Sequence, residues 1–142
     1  MLVEYGTNDV DMYHLDFDQT SDEFAQWTVV MPNDWDASTI TAVFYWTAAS
    51  GAGDVIWGMQ GRSYGDDEAI DQAWGAAQTV TDTLLLANDV HITAATGSIT
   101  LAGTPAASEL VQFRCYRDAD SGSDTLTADA RLIAIRITFT RT

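Results

Sequence analysis

One stretch of the sequence decides the fold: Arg131-Leu132-Ile133-Ala134-Ile135-Arg136-Ile137-Thr138-Phe139. Its isoleucines and the final phenylalanine recur at every second position, which is the side-chain period of a β-strand with one buried face. A second long stretch, residues 110–117, alternates in the same way. Both patterns predict strands of a sheet that covers a hydrophobic core.

Shorter alternating segments fill most of the remaining chain. They cover residues 13–17, 25–31, 39–47, 55–59, 80–85, 90–94 and 99–101, and Gly, Asn, Asp or Pro residues separate them. This spacing is typical of an antiparallel β-sandwich or barrel, and about eight strands with long connections favour a jelly roll. We therefore predict an all-β fold, an antiparallel and jelly-roll-like β-sandwich, in a single domain spanning residues 1–142.

Two further segments carry local predictions. Residues 66–75 begin with three acidic residues, place apolar residues four positions apart and end at Gly75, which predicts one short helix. Residues 1–10 contain Gly6, Asn8 and Asp9 before the first clear strand. We therefore expect residues 1–10 to form an N-terminal arm or an edge strand.

The charge balance argues against several classes of function. The chain of 142 residues has 21 acidic residues, six arginines and no lysine, and its net charge is −15. Nucleic-acid binding needs clustered basic residues, and an anionic membrane surface repels an acidic chain. The sequence contains neither a signal-peptide pattern nor the roughly 20 consecutive apolar residues of a membrane span. We expect a soluble protein, made without a secretion signal, with no nucleic-acid or membrane partner.

One motif resembles a catalytic site. The sequence Gly61-Arg62-Ser63-Tyr64-Gly65 matches the nucleophile elbow, in which a strained strand-to-helix turn exposes a serine above a mainly parallel sheet. His91 is the one histidine that follows it, the chain is short for that fold, and its strands are predicted to be antiparallel. We therefore predict that the protein is not an enzyme.

Several acidic and histidine residues could bind a metal ion. Asp118, Asp120 and Asp129 match the first, third and twelfth positions of a calcium-binding loop, but Gly122 and Ser123 depart from that pattern. A solvated hairpin loop is the favoured interpretation of this segment. Pairs of aspartates two residues apart are expected to be solvated, and both histidines to be structural: Asp9/Asp11, Asp16/Asp18, Asp34/Asp36, His14 and His91. We predict no metal ion and no cofactor.

The aromatic residues leave one alternative open. Trp27, Trp46 and Trp57 alternate with aliphatic residues and are predicted to fill the sandwich. Trp35 and Trp74 lie in turn or helix contexts, where they could be exposed platforms for a sugar or a protein, although packing is favoured. The single Cys115 has no partner for a disulfide and is expected to be buried.

Three groups of segments resemble a β-sandwich domain of tailed-bacteriophage virion proteins, and the likeness extends over nearly all of residues 13–140. They are residues 17–23 with 31–35, residues 39–48 with 53–58, and residues 116–120 with 124–126 and 130–132. The resemblance implies a structural protein without catalytic residues. It implies a capsid decoration (cement) protein or a head- or tail-fibre module, most often a homotrimer.

On this resemblance we expect a decoration protein that binds the major capsid protein and copies of itself on the capsid exterior, and is made in the host cytoplasm. Because this chain begins close to the first strand of the domain, the decoration protein is favoured over a fibre tip. The alternative is a receptor-binding or carbohydrate-binding fibre module. Leu2, Val3, Glu4 and Tyr5 are the predicted partner-binding residues, since an extended arm can add to the sheet edge of a neighbour.

Overall fold

The computed structural model describes residues 1–142 as an all-β protein with ten strands and no α-helix. The strands are β1 (Leu2–Tyr5), β2 (Val10–Tyr13), β3 (Leu15–Phe17), β4 (Glu23–Val30), β5 (Thr41–Thr47), β6 (Gly53–Tyr64), β7 (Gln78–Leu84), β8 (His91–Ile92), β9 (Leu110–Arg117) and β10 (Ala130–Thr138). No helix is long and apolar enough to cross a membrane.

The strands form two four-stranded antiparallel sheets and a separate hairpin. One sheet has the order β3-β10-β5-β8, the other has the order β4-β9-β6-β7, and β1 pairs only with β2. Strands that follow each other along the chain mostly lie in opposite sheets, which is the topology of a jelly roll built from two Greek keys. The predicted antiparallel β-sandwich is therefore confirmed.

The core lies between the sheets and is rich in aromatic residues. Its largest fully buried side chains include Trp46 of β5 and Trp57 of β6, and the Trp57 ring is stacked on Phe44 at a centroid distance of 5.6 Å. Phe17 meets Trp57 edge to face at 5.2 Å. Aromatic pairs with these geometries add to the free energy gained by burial. Trp46 and Trp57 fill the sandwich as predicted.

Trp35 and Trp27, the other tryptophans considered for the core, differ in how deeply they are buried. Trp35 is buried, with only 2% of its surface exposed, so it is a packed core residue and not an exposed platform. Trp27 is half-buried and stacked on Phe113, because it lies on the edge strand β4. Cys115 is fully buried, as expected, and burial raises the pKa of its thiol to about 12.

The predicted helix at residues 66–75 is wrong. This segment is an irregular loop in which Asp67 has a left-handed backbone with φ of 63°. The backbone carbonyl groups that a helix would use accept hydrogen bonds from side chains of β6: Arg62 donates to the oxygen of Ala73, and Tyr64 donates to the oxygen of Ile70. These contacts with the sheet replace the local helical bonds that the sequence pattern favoured.

Gly75 ends this loop by packing directly against the backbone of other segments. Its N–H group donates to the carbonyl oxygen of Gly61, and a Cβ atom at this position would lie 2.6 Å from the oxygen of Thr100. The glycine that suggested a helix end is therefore required for a close approach of two backbones.

Candidate functional site

An apolar groove opens between the two sheets along one edge of the sandwich. We call it the edge groove: it has a volume of about 540 Å³, and its walls include Ala25 and Trp27 of β4 and Ile135 and Ile137 of β10. Most of its lining residues are hydrophobic. The groove exists because β3, the strand beside β10, pairs only with residues 130–132, so the rest of β10 has no neighbour on that side.

The hydrogen bonding of β5 shows which backbone groups of β10 remain free. Ala42 and Phe44 exchange hydrogen bonds with the segment that follows β8, so their backbone groups point away from β10. In an antiparallel ladder neighbouring residues point to opposite sides. The backbone N–H and C=O groups of Arg136 therefore point toward β5, whereas those of Ile135 and Ile137 point to the free edge. The groove is bordered by an unpaired strand edge.

The partner-binding residues predicted at the N-terminus lie beside this groove. Leu2–Tyr5 form β1 and pair with β2, so residues 1–10 are not an isolated arm, and Met1 and Tyr13 of the hairpin line the edge groove. The Met1 ammonium donates to the carbonyl oxygen of His14, and the His14 N–H donates to that of Met1. Whether β1 binds a partner remains a prediction.

The hairpin borders a second pocket on the sandwich. This pocket has a volume of about 240 Å³ and lies between hairpin residues such as Tyr5 and Met12 and residues that include Thr47 and Val90. The hydroxyl groups of Tyr5 and Thr47 are buried without hydrogen-bond partners. Unpaired buried hydroxyls cost stability, so these two groups weaken the packing of the hairpin against the sandwich.

The two histidines have separate places in the fold. His14 is buried at the edge groove, its Nδ1 lies 2.8 Å from Oδ1 of Asp16 without hydrogen-bond alignment, and its Nε2 has no partner. His91 is held structurally: its Nε2 accepts from the Leu85 N–H, and its Nδ1 lies 2.9 Å from the Asp89 oxygen. Because β3 and β8 are opposite edges of one sheet, the histidines do not form a two-histidine metal site.

The serine motif does not form a nucleophile elbow. Ser63 lies within β6, is 1% exposed and donates its hydroxyl hydrogen bond to the carbonyl oxygen of Ala102. No helix follows it. The serine is therefore part of the packing between β6 and the segment after residue 99.

A second groove, which we call the polar groove, lies on the outer face of the other sheet. It has a volume of about 540 Å³ between the loop at residues 65–77 and strands β4, β6 and β9. Trp74, half-buried, lines it together with Tyr64, Gln26 and Gln112. The Arg114 guanidinium lies 4.8 Å from the centre of the Trp74 ring. Aromatic and amide side chains of this kind can bind a sugar.

The acidic segment after β9 is organised by Arg117, which is completely buried. Its guanidinium makes two hydrogen bonds to the Asp124 carboxylate, at 3.0 and 2.8 Å. Its remaining N–H groups donate to backbone oxygens of Phe17, Leu126 and Ala128, so every donor is used. Asp124, one of the acids in the candidate calcium segment, is therefore occupied by an ion pair.

Three other carboxylates meet nearby. Side-chain oxygens of Asp22, Asp118 and Asp120 lie within 4.8 Å of one another. Asp22 accepts hydrogen bonds from the N–H groups of Ala119 and Asp120, whereas Asp129 lies apart and accepts from Gln19. The calcium-loop pattern is not reproduced. Asp22 could not be assigned to this cluster from the sequence pattern, because it is about a hundred residues from the segment that it joins.

The carboxylate cluster should make stability depend on pH. Burial, followed by the neighbouring acids, raises the pKa of Asp118 above 3.8. A raised folded-state pKa means that the folded protein binds the proton more tightly, so this site destabilises the fold at neutral pH and the penalty disappears as the pH falls through the raised value.

We expect Asp118→Asn to stabilise the protein by about 0.5 kcal/mol at pH 7 and to have little effect near pH 4. Thermal unfolding at both pH values measures the difference. Asp71→Asn, which removes the same charge from an exposed loop position, is the matched control. An equal stabilisation by both variants would show that net charge, and not the cluster, is responsible.

The paired aspartates have structural roles. Asp18 accepts hydrogen bonds from the Thr20 hydroxyl and from two backbone N–H groups, and Asp36 accepts from the hydroxyl and the backbone N–H of Ser38. These bonds lower the pKa of both carboxyl groups, the hydroxyl bond being the largest cause. Asp34 pairs with Arg141 at 3.2 Å. These acids stabilise turns and chain ends.

Comparisons with known proteins do not add an identity to this geometry, since no family model, curated protein or solved structure matches the chain.

Proposed function

We propose that the protein is a structural component of a bacteriophage virion, a capsid decoration (cement) protein. It would bind the outer surface of the capsid as a homotrimer and bridge adjacent major capsid subunits. The observation that carries this proposal is the free edge of β10 beside the apolar edge groove, because an unpaired strand edge is a site for strand addition by a neighbouring subunit, as assembly of the homotrimer on the capsid requires. The jelly-roll topology agrees with the fold that the resemblance implies.

The chemistry of the surface supports the same function. A net charge of −15 disfavours non-specific aggregation, so association depends on specific contacts such as those with a repeated lattice. Weak contacts made by each protomer add up through avidity when three copies bind together. In this way a small domain can hold an expanded capsid against internal DNA pressure without catalysis.

Cosedimentation tests the proposal. Purified heads that lack the protein should bind it saturably, with stoichiometry fixed by the capsid lattice, and should then resist heating better than bare heads. Heads already carrying the protein are the control and should bind no more. Absence of saturable binding to bare heads would contradict the proposal.

The polar groove favours a second candidate, a carbohydrate-binding fibre module. Trp74 supplies an aromatic face, and the glutamines beside it supply paired donors and acceptors for sugar hydroxyls. Titration with host surface polysaccharide, followed by tryptophan fluorescence, separates the two functions. Saturable binding that Trp74→Ala abolishes would favour the fibre module.

A further inference from the structure

We propose that the edge groove is the docking site for a second copy of this chain, whose β1 adds to the free edge of β10. The acceptor edge runs from residue 133 to 138, and the N–H and C=O groups of Ile135 and Ile137 point outward along it. An incoming strand would pair with these groups and cover the apolar side chains beneath them.

The donor edge follows from the pairing within the hairpin. Met1 exchanges backbone hydrogen bonds with His14, and Val3 and Tyr5 lie opposite Met12 and Val10. Because neighbouring residues of a strand point to opposite sides, the backbone groups of Leu2 and Glu4 point away from β2. They have no partner within the chain and form the free edge of β1.

The surface around the groove has the apolar character of an interface. Five exposed large apolar residues lie within the first 15 positions, and three of them line the groove: Met1, Leu2, Val10, Tyr13 and Leu15. Grouped exposed apolar residues mark association sites, whereas scattered ones do not.

Charge complementarity favours a second copy as the occupant. Arg136 is exposed on the free stretch of β10 and takes part in no ion pair within the chain, whereas the hairpin carries Glu4, Asp9 and Asp11. Because most charged residues of this protein are acidic, an ion pair between Arg136 and the hairpin of a neighbour would favour this pairing specifically.

Donor and acceptor edges lie side by side on each chain, since Met1 and Tyr13 of the hairpin line the groove. Each copy can therefore give its β1 to one neighbour and accept β1 from another. Such an exchange closes into a symmetric oligomer when the rotation between copies permits. It deepens the self-association of the proposed function, but it would occur without a capsid, so its failure is distinct from failure to bind heads.

The oligomeric state of the purified protein tests this pairing. Light scattering over a range of concentrations should give two or three times the 15.4 kDa of one chain. Glu4→Pro removes the outward N–H group but leaves the ladder with β2 intact, and proline is tolerated at such an edge position. We expect it to weaken association about tenfold.

Glu4→Ala is the matched control for the backbone, because it removes the carboxylate and keeps the N–H group. It should weaken association less than Glu4→Pro. Arg136→Glu, a change at an exposed position, should weaken association and reduce its sensitivity to salt. Thermal unfolding of each variant at a concentration where it is monomeric checks that the fold is retained.

Three outcomes would overturn the inference. The first is a 15.4 kDa monomer at every concentration. The second is an oligomer that Glu4→Pro and Arg136→Glu leave unchanged. The third is a monomeric protein that binds heads through β1, which would assign the arm to the major capsid protein and not to a second copy.

Discussion

Replacing Arg117 with methionine is expected to destabilise the folded protein by about 3–5 kcal/mol, the usual cost of leaving one partner of a buried ion pair without the other. The Asp124 side chain is only 1% exposed, so its negative charge would stay in the interior. The backbone oxygens of Phe17, Leu126 and Ala128 would lose their donor as well. Urea denaturation at pH 7 measures the loss.

Two further variants identify the source of this effect. Arg117→Lys keeps the positive charge but cannot bind the carboxylate through two parallel N–H groups, so we expect it to be clearly destabilised too. The double variant Arg117→Met with Asp124→Leu removes both charges and should lose less stability than the two single changes added together. A loss below about 1 kcal/mol for Arg117→Met would contradict the role assigned to the ion pair.

Replacing Trp57 with alanine is expected to cost about 3–5 kcal/mol, because it empties the centre of the sandwich. The Trp57 ring of β6 contacts the rings of Phe44, Phe17 and Trp46, which come from two strands of the facing sheet, β5 and β3. The cavity left by the substitution would therefore lie between the two sheets, at the centre of the core. Its indole N–H has no hydrogen-bond partner, so no polar bond is lost with the ring.

Trp57→Phe is the matched control for this position. It keeps an aromatic ring in the stack and removes the unpaired N–H group, so we expect a loss of about 1 kcal/mol. Trp74→Ala, at the half-buried polar groove, should also cost less than Trp57→Ala. If the Trp57→Ala and Trp57→Phe proteins unfolded at the same urea concentration, the aromatic stack would not be the centre of stability.

Strand β9 shows how strands could be predicted from the alternation of apolar and polar residues in the sequence. Buried Val111, Phe113 and Cys115 recur at every second position of β9. The same period places Arg117 inside, so the sequence contained the signal for the buried ion pair, although the side-chain chemistry suggested a surface residue. Extending the alternation of β9 to position 117, despite the charge there, would have predicted that Arg117 is buried.

Contacts between distant segments could not be predicted in this way. The loop at 66–75 has local helical features, but bonds from Arg62 and Tyr64 decide its shape. Asp22 joins Asp118 only because β4 pairs with β9. The edge groove depends on the register between β3 and β10, which leaves most of β10 unpaired on that side. This register cannot be read from the amino-acid composition.

The position of β10 has a consequence for how the chain reaches this structure during synthesis. β10 lies between β3 and β5, so one sheet cannot be completed until residues 130–138 have left the ribosome. Until then the tryptophans of β5 and β6 are covered by an incomplete sheet. The contact between Phe17 and Arg117 must also close a loop of about a hundred residues. Such non-local pairing makes folding slow, on a scale of milliseconds to seconds, and exposes the nascent chain to aggregation and to chaperones.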